Sequence, residues 1–238
     1  MTKLLRQYEE ASGQRLFVIQ AIPAYCMRVF LLPKALCLEI NSLMQKFWWS
    51  KANNEANVHW MSWKRMGTRK KDSGMGFKDF RSFNIALLAK QIWRLWQKLD
   101  SFLAQILEGK YYSSSNILDA RLGARPSFAW RSIFSSCDLL KAGLIWRVGN
   151  GTQIRIWKDK WIPRGRLIYM IQSPPTVLHP EATVSTLIDE DTRWWDSPLL
   201  DNIFSKEEVQ LIHSLPISGH NREDRLIWRG TKNGVFFL

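Results

Sequence analysis

The chain has 238 residues, 46% of them hydrophobic and 23% charged, which gives one or two domains enough apolar content to pack and excludes bulk disorder. Cys26, Cys37 and Cys137 form no CxxC pair, and His59, His179, His213 and His220 stand near no cysteine, which argues against a disulfide framework and a clustered Cys/His zinc site. No apolar run reaches the roughly 18 residues of a membrane span; the nearest, Leu16 to Leu38, is interrupted by Pro23, Arg28, Pro33 and Lys34.

The formal net charge is +13 and the pI is about 9.9. Residues 1–170 hold 28 Lys+Arg against 11 Asp+Glu, and residues 171–238 hold 6 against 10. A basic surface of this kind attracts polyanions, nucleic acid before anionic membrane. Thirteen tryptophans are packing residues first and stacking platforms for bases second.

In chain order, the leader MTKLLRQYEEASGQRLF lacks a signal-peptide core, and Glu9 and Glu10 argue against a transit peptide. Residues 34–49 predict an amphipathic helix with Leu36, Ile40, Leu43 and Phe47 on its apolar stripe. A polar loop, SKANNEAN, follows, and then Trp60 and Trp63 at a spacing that allows a shared helical face. Gly74 and Gly76 lack the rest of any phosphate-binding fingerprint and predict a turn.

The clearest helix covers residues 80–99, with Leu88, Ile92, Leu95 and Leu99 on one face. Lys90, Arg94 and Lys98 recur at i, i+4, i+8 on another, with Trp93 at the edge of that basic stripe. Such a stripe is either an ordinary solvated face or a rail for a phosphate backbone. Two more helices are expected: 101–112, capped by Asp100 or Ser101, and one from Ser127 to Gly143.

After Gly143 the pattern alternates around Gly149-Asn150-Gly151 and predicts a β-hairpin over 146–157. Arg147 and Arg155 flank it, and Lys158, Lys160 and Trp161 follow. Residues 162–182 carry four prolines and read as an irregular linker. Ser205 to Glu208 matches a capping box. A second hairpin is expected over 225–237, around Lys232-Asn233-Gly234.

Nucleotidyl transfer by two metal ions needs carboxylates gathered at a strand end. The acid clusters, Glu9-Glu10, Asp189-Glu190-Asp191, Glu207-Glu208 and Glu223-Asp224, lie in no aromatic-x-Asp-Asp setting and read as solvated or helix-dipole charges. There is no GxSxG, no Walker loop and no cysteine beside a histidine. The reading is therefore not an enzyme, with no cofactor and no small-molecule substrate.

The strings VIQAIPAYCMRVFLLPKALCLEINSLMQKFWW, VHWMSWKRM, SGMGFKDFRSFNIALLAKQIWRLWQ, ILEGKYY, GARPSFAWRSIF, GLIWRVGNGTQIRIWKDKWIP and DRLIWRGTKNGVF occur in this order. Together they resemble the part of plant LINE-type (non-LTR) reverse transcriptases between the fingers/palm and the zinc-binding region. They also resemble plant mitochondrial open reading frames derived from it. The family's polymerase carboxylates fall upstream of the matching stretch and its Cys/His region downstream, so the resemblance carries over no catalytic or zinc-binding residue.

The periodicity and turn signals predict an α+β, mainly α chain, helices followed by short β-hairpins, and the resemblance implies that the helical part is a thumb/connection-like bundle. The expected divisions are a poorly matched leader at 1–15, the thumb/connection-like region at 16–145 and a basic β-hairpin segment at 146–163. A Pro-rich linker at 164–181 and an acidic tail region at 182–238, truncated before the zinc-binding region, complete them. The implied partner is RNA or an RNA–DNA hybrid, in nucleus or mitochondrion. The residues expected to hold it are Lys90, Trp93, Arg94, Lys98, Arg147, Arg155, Lys158, Lys160 and Trp161. Two alternatives stand beside this reading: a pseudogene product without function, and a protein-interaction module that reuses the helices.

Overall fold

A computed structural model describes residues 24–49, 61–68, 72, 74–164, 167–217, 222–231 and 233–236. The readings of the leader, of the SKANNEAN loop and of Trp60 lie outside the described residues. Helix outweighs strand, and the class is α+β, mainly α. The chain divides into two compact units, essentially residues 1–141 and 142–237.

The first unit is helical. Its elements are α1 (Ala24–Met27), α2 (Lys34–Trp49), α3 (Trp63–Met66), α4 (Phe80–Gln97), α5 (Phe102–Leu107) and α6 (Phe128–Phe134), with α7 (Cys137–Gly143) leaving it. The helix α4 packs against α1, α2, α5 and α6. Asp79 caps it by accepting from the Ser82 amide at 2.8 Å. Leu88, Ile92 and Leu95 are buried as the periodicity predicts, but Leu99 lies beyond the helix end and is exposed.

The expected face of α2 needs correction. Cys37, Asn41 and Met44 are buried, whereas Leu36, Leu43 and Phe47 are exposed. Apolar residues occur on several sides of this helix, and a buried polar group decides between them. The Asn41 amide donates to Asp79 Oδ2 at 2.9 Å and its carbonyl accepts from the Phe80 amide. Only the Asn41 face finds these partners, and a buried amide without them is costly. Asn84 does the same for the 27–32 turn: it donates to the Met27 and Phe30 carbonyls and accepts from the Leu32 amide.

The helix expected from Ser127 to Gly143 is two helices. Ser127 caps α6, but the Ser135 and Ser136 hydroxyls donate to the Ser132 and Ile133 carbonyls, and the chain breaks there. Trp130 is buried between Tyr111, stacked at 4.8 Å, and Tyr112 at 5.7 Å. Tyr112 ends a short π-helical turn, Glu108–Tyr112, that continues α5.

In the second unit the 146–157 hairpin does not form. The strand β1 (Leu144–Arg147) pairs antiparallel with β4 (Arg225–Trp228), Leu144 opposite Trp228 and Arg147 opposite Arg225. The segment after Gly151 pairs instead with 182–184, through Ile156 N–H to the Ala182 carbonyl and Val184 N–H to the Ile154 carbonyl. Asp224 is the cause. Its carboxylate accepts from the amides of Gly149 (2.7 Å), Gly151 (2.9 Å) and Gln153 (2.9 Å). The loop wraps around an anion instead of turning back along β1. Both glycines are required: a Cβ at Gly149 would collide with the Arg222 carbonyl, and Gly151 has φ +74°.

The 225–237 hairpin is corrected in the same way. Thr231–Gly234 does turn, and Trp228 N–H donates to the Gly234 carbonyl. The ladder partner of β4 is nevertheless β1, and Lys232 and Phe237 lie outside the described residues.

The proline-rich stretch is no linker between bodies, because it lies within one unit. It supplies β2 (Ile162–Arg164) and β3 (Leu167–Tyr169), an antiparallel pair, and buried Ile171. Val148, Ile154, Ile156 and Trp161 share a single core with Val184, Leu187, Trp195, Leu200, Val209 and Ile212 of the acidic tail. The last four belong to, or flank, α8 (Ser197–Ile203) and α9 (Lys206–His213).

Candidate nucleic-acid interface

The helix α4 presents the first group of expected contacts. Its buried residues orient the helix, which leaves Arg94 and Lys98 exposed and Lys90 half-exposed. Arg94 and Lys98 make no ion pair among the described residues. With Gln91, Leu95, Ser101 and Leu103 they line a small cleft of about 150 Å³. Lys98 is the C-cap, and a cation in the last turn also suits the helix dipole. Trp93 belongs to the core, with its ring edge-on to Trp96 at 5.4 Å. It offers no open face for a base.

In the second unit the expected cations fall into two sets. Arg147 and Lys160 are exposed, and the Lys160 carbonyl accepts from the Trp146 amide at 2.7 Å. Arg155 and Lys158 are already engaged. Arg155 pairs with Asp159 at 3.3 Å and with Glu181 at 3.9 Å, and Lys158 pairs with Glu181. The hydrogen bond from Lys158, with its charge, holds the Glu181 carboxyl below the usual range. The hydrogen bond to Asp159 raises Arg155 further. Trp161 is 2% exposed, donates to the Ile156 carbonyl and packs against Trp195 at 5.9 Å. It is a core residue, and the stacking role expected for it is withdrawn along with that of Trp93.

Two carboxylates read as solvated or helix-dipole charges are buried. Asp224 is the loop anchor described above. Glu208 completes the expected capping box with Ser205 and also accepts from the Gln172 amide at 2.7 Å, the Ser173 amide and the Ser173 hydroxyl. Burial works to raise the Glu208 carboxyl, but the bonds from Ser173, Gln172 and Ser205 outweigh it and hold it below the usual range. In sequence only the capping box signalled this residue. Among the described residues no group of three or more His, Cys, Asp or Glu is placed to hold a metal ion, and no helix is long and apolar enough to cross a membrane.

The class this arrangement defines is a basic, mainly helical chain joined to a small unit of short helices and antiparallel strand pairs. No protein-family profile matches it, and no solved structure does. It is 39% identical, over 143 residues, to the "Uncharacterized mitochondrial protein AtMg00310" of Arabidopsis thaliana, which covers 60% of this chain and 93% of that protein. The chain belongs to the family of that mitochondrial protein. It is also 27% identical over 226 residues, 92% of its length, to the Arabidopsis thaliana protein named "Putative ribonuclease H protein At1g65750". It spans 36% of that longer protein.

Proposed function

We propose that this chain is a non-catalytic, retroelement-derived segment of LINE reverse-transcriptase ancestry that binds RNA or an RNA–DNA hybrid through the basic face of α4. The observation that carries the reading is the exposure of Arg94 and Lys98, without ion pairs among the described residues, in a unit with 22 Lys+Arg against 10 Asp+Glu over residues 1–141. The longer relative, of which this chain spans 36%, is named a putative ribonuclease H protein, and that name supports a nucleic-acid partner. The non-catalytic part rests on chemistry. Asp224 and Glu208 spend their oxygens on internal donors, so neither is free to clamp a pair of metal ions.

Phosphate contacts release counterions, and each contributes about 0.7 to 0.9 to the log-affinity against log-salt slope. Changing Lys90, Arg94 and Lys98 together to Gln keeps helix propensity. It should reduce that slope by roughly two to three and weaken all sequences alike, with melting nearly unchanged. An unchanged slope in a folded triple variant identifies the stripe as a solvated face and refutes the proposal.

A second reading has its own observation. Leu36, Leu43 and Phe47 leave an apolar stripe exposed on α2, which fits helices reused for protein contact. Its test is whether Leu43→Lys abolishes self-association or complex formation while leaving the salt slope intact.

A further inference from the structure

The apolar stripe that periodicity predicts for α2 is left facing outward. Leu36, Leu43 and Phe47 are 40%, 58% and 39% exposed, and Ile40 between them is half-buried. The core takes the neighbouring row of Cys37, Asn41 and Met44, about a quarter turn away around the helix. Single exposed apolar residues need no explanation, but a regular row of them marks a contact surface.

The spacing of the row is 4, 3 and 4. That is the repeat of a helix–helix seam, with Leu36 and Leu43 at heptad position d and Ile40 and Phe47 at position a. The helix is 16 residues long, or about 24 Å. Its core side is fixed by the bonds from Asn41 to Asp79 and from Phe80 to Asn41. A partner therefore meets a helix that is already formed, and the nucleation cost that defeats a short isolated seam does not arise.

The charges select the partner. Only Lys34, Glu39 and Lys46 are charged in α2. Glu39 and Lys46 both fall at heptad position g, on the flank of the stripe away from the core. Both are exposed, and neither has an ion pair among the described residues. They stand about 10 Å apart along the helix, too far to neutralise each other. The opposite flank, position e, carries buried Cys37 and Met44. In an antiparallel pair of such helices g faces g, and in a parallel pair g faces e. Set antiparallel against a second copy, Ile40 meets Leu43 and Leu36 meets Phe47. The same register brings Glu39 of each copy opposite Lys46 of the other, twice, as a twofold axis requires. A parallel pair would turn both charges toward the buried Cys37–Met44 row, where no counter-charge waits. An anionic occupant, nucleic acid or lipid, would bring its phosphates against Glu39.

We infer that this face of α2 is the contact surface for a second copy of the chain, packed antiparallel about a twofold axis with Glu39 opposite Lys46. The inference goes beyond the nucleic-acid reading; it rests on the protein-contact reading of α2 and names its partner. Two heptads of one helix make a small interface, so the dimer is weak and reversible.

Sedimentation of the full chain over a range of concentrations reads the association. The parent chain should dimerise. Glu39→Lys sets cation against cation at both symmetric contacts, and Lys46→Glu sets anion against anion. Each should weaken the dimer about tenfold. An equimolar mixture of the two variants should associate as strongly as the parent, because every contact is again between opposite charges. Combining both changes in one chain should restore the homodimer for the same reason. A parent chain that is still monomeric at about millimolar concentration overturns the inference. A parent dimer indifferent to all of these charge changes also overturns it, and leaves the protein-contact reading to the Leu43→Lys test. A charge variant that changes the salt slope for RNA in a monomeric chain would place nucleic acid on α2 and overturn the inference. If either single variant does not fold, the doubly exchanged chain and Leu43→Ala decide. Parent-like association in the first and about tenfold weaker association in the second upholds the inference, and any other result overturns it.

Discussion

The two units solve the same problem, a stable fold for a short chain, by different means. In residues 1–141 helices meet through apolar stripes, and two buried asparagines, Asn41 and Asn84, set which stripe faces inward. This unit carries an excess of 12 basic residues and most of the exposed large hydrophobics among the described residues, from Tyr25 to Leu139. In residues 142–237 the charge nearly balances, and only Val177, Trp194 and Val235 of that class are exposed among the described residues. Two buried carboxylates organise its loops. The helical unit thus leaves a sticky, cationic surface, and the second unit closes its loops around two carboxylates. Nucleic-acid binding is therefore expected mainly on the first unit, where Arg94 and Lys98 are exposed.

Asp224 gives the largest test of this contrast. Asp224→Ala strands three amides of the Gly149–Gln153 loop and should cost about 3 to 5 kcal/mol, in the range for leaving buried partners of a charge unpaired. The loss should fall on the second unit alone. Hydrogen exchange should show amides of 142–237 deprotected and those of α4 unchanged; equal deprotection in both would break the comparison. Leu88→Ala is the counterpart. Leu88 is fully buried in α4, and truncation there should cost about 2 to 5 kcal/mol, read as deprotection of the helical unit.

The helical unit was the more legible of the two in sequence, and the reason is physical. Helix periodicity and caps are local, so α4, its inward residues Leu88, Ile92 and Leu95, the Ser127 cap and the Ser205–Glu208 box could be read from neighbouring residues. The apolar pattern of α2 favours its leucines, and Asn41 decides against them through partners about 38 residues away. In the second unit the decisive contacts are distant. Alternation around Gly149-Asn150-Gly151 resembles a hairpin whether the loop closes on itself or on Asp224, 73 to 75 residues on. No local pattern separates these outcomes. The cationic stripe of α4 was visible in the same way that the helix was. The engagement of Arg155 and Lys158 was not, because Glu181 reaches them from the far end of the proline-rich stretch.

Glu208 sharpens the contrast through pH. Its carboxyl lies below the usual range in the folded chain, so the folded state favours the ionised form. The resulting stability is fully present above the unfolded value of about 4.5 and is lost as pH falls through the lower folded value. Glu208→Gln should cost about 2 kcal/mol at neutral pH, as expected for hydrogen bonds to a charged group. Below about pH 4.5 the gap between parent and variant should begin to close, and it should vanish only below the lower folded value. Melting followed from pH 7 to pH 3 checks this. A gap that stays constant down to pH 3 would mean that Glu208 acts through packing and not through its charge.

The smallest expected effect separates cations by their partners. Arg94 has no ion pair among the described residues, whereas Lys158 is held by Glu181, which also faces Arg155. Both are exposed, and each single change to Gln removes one positive charge. Long-range attraction to a polyanion therefore falls equally, and what differs is direct contact. A phosphate reaching Lys158 must displace Glu181, and the released carboxylate then repels it, so little counterion release is gained. Arg94→Gln should lower the salt slope by close to one contact, about 0.7 to 0.9. Lys158→Gln should lower it by a small fraction of that, with melting nearly unchanged because exposed ion pairs contribute little. Glu181→Gln is the informative partner change. It frees Lys158 and Arg155 together, and should raise affinity and steepen the slope if the second unit lies against the nucleic acid. An unchanged slope in Glu181→Gln would show that the Arg155–Lys158 face makes no phosphate contact.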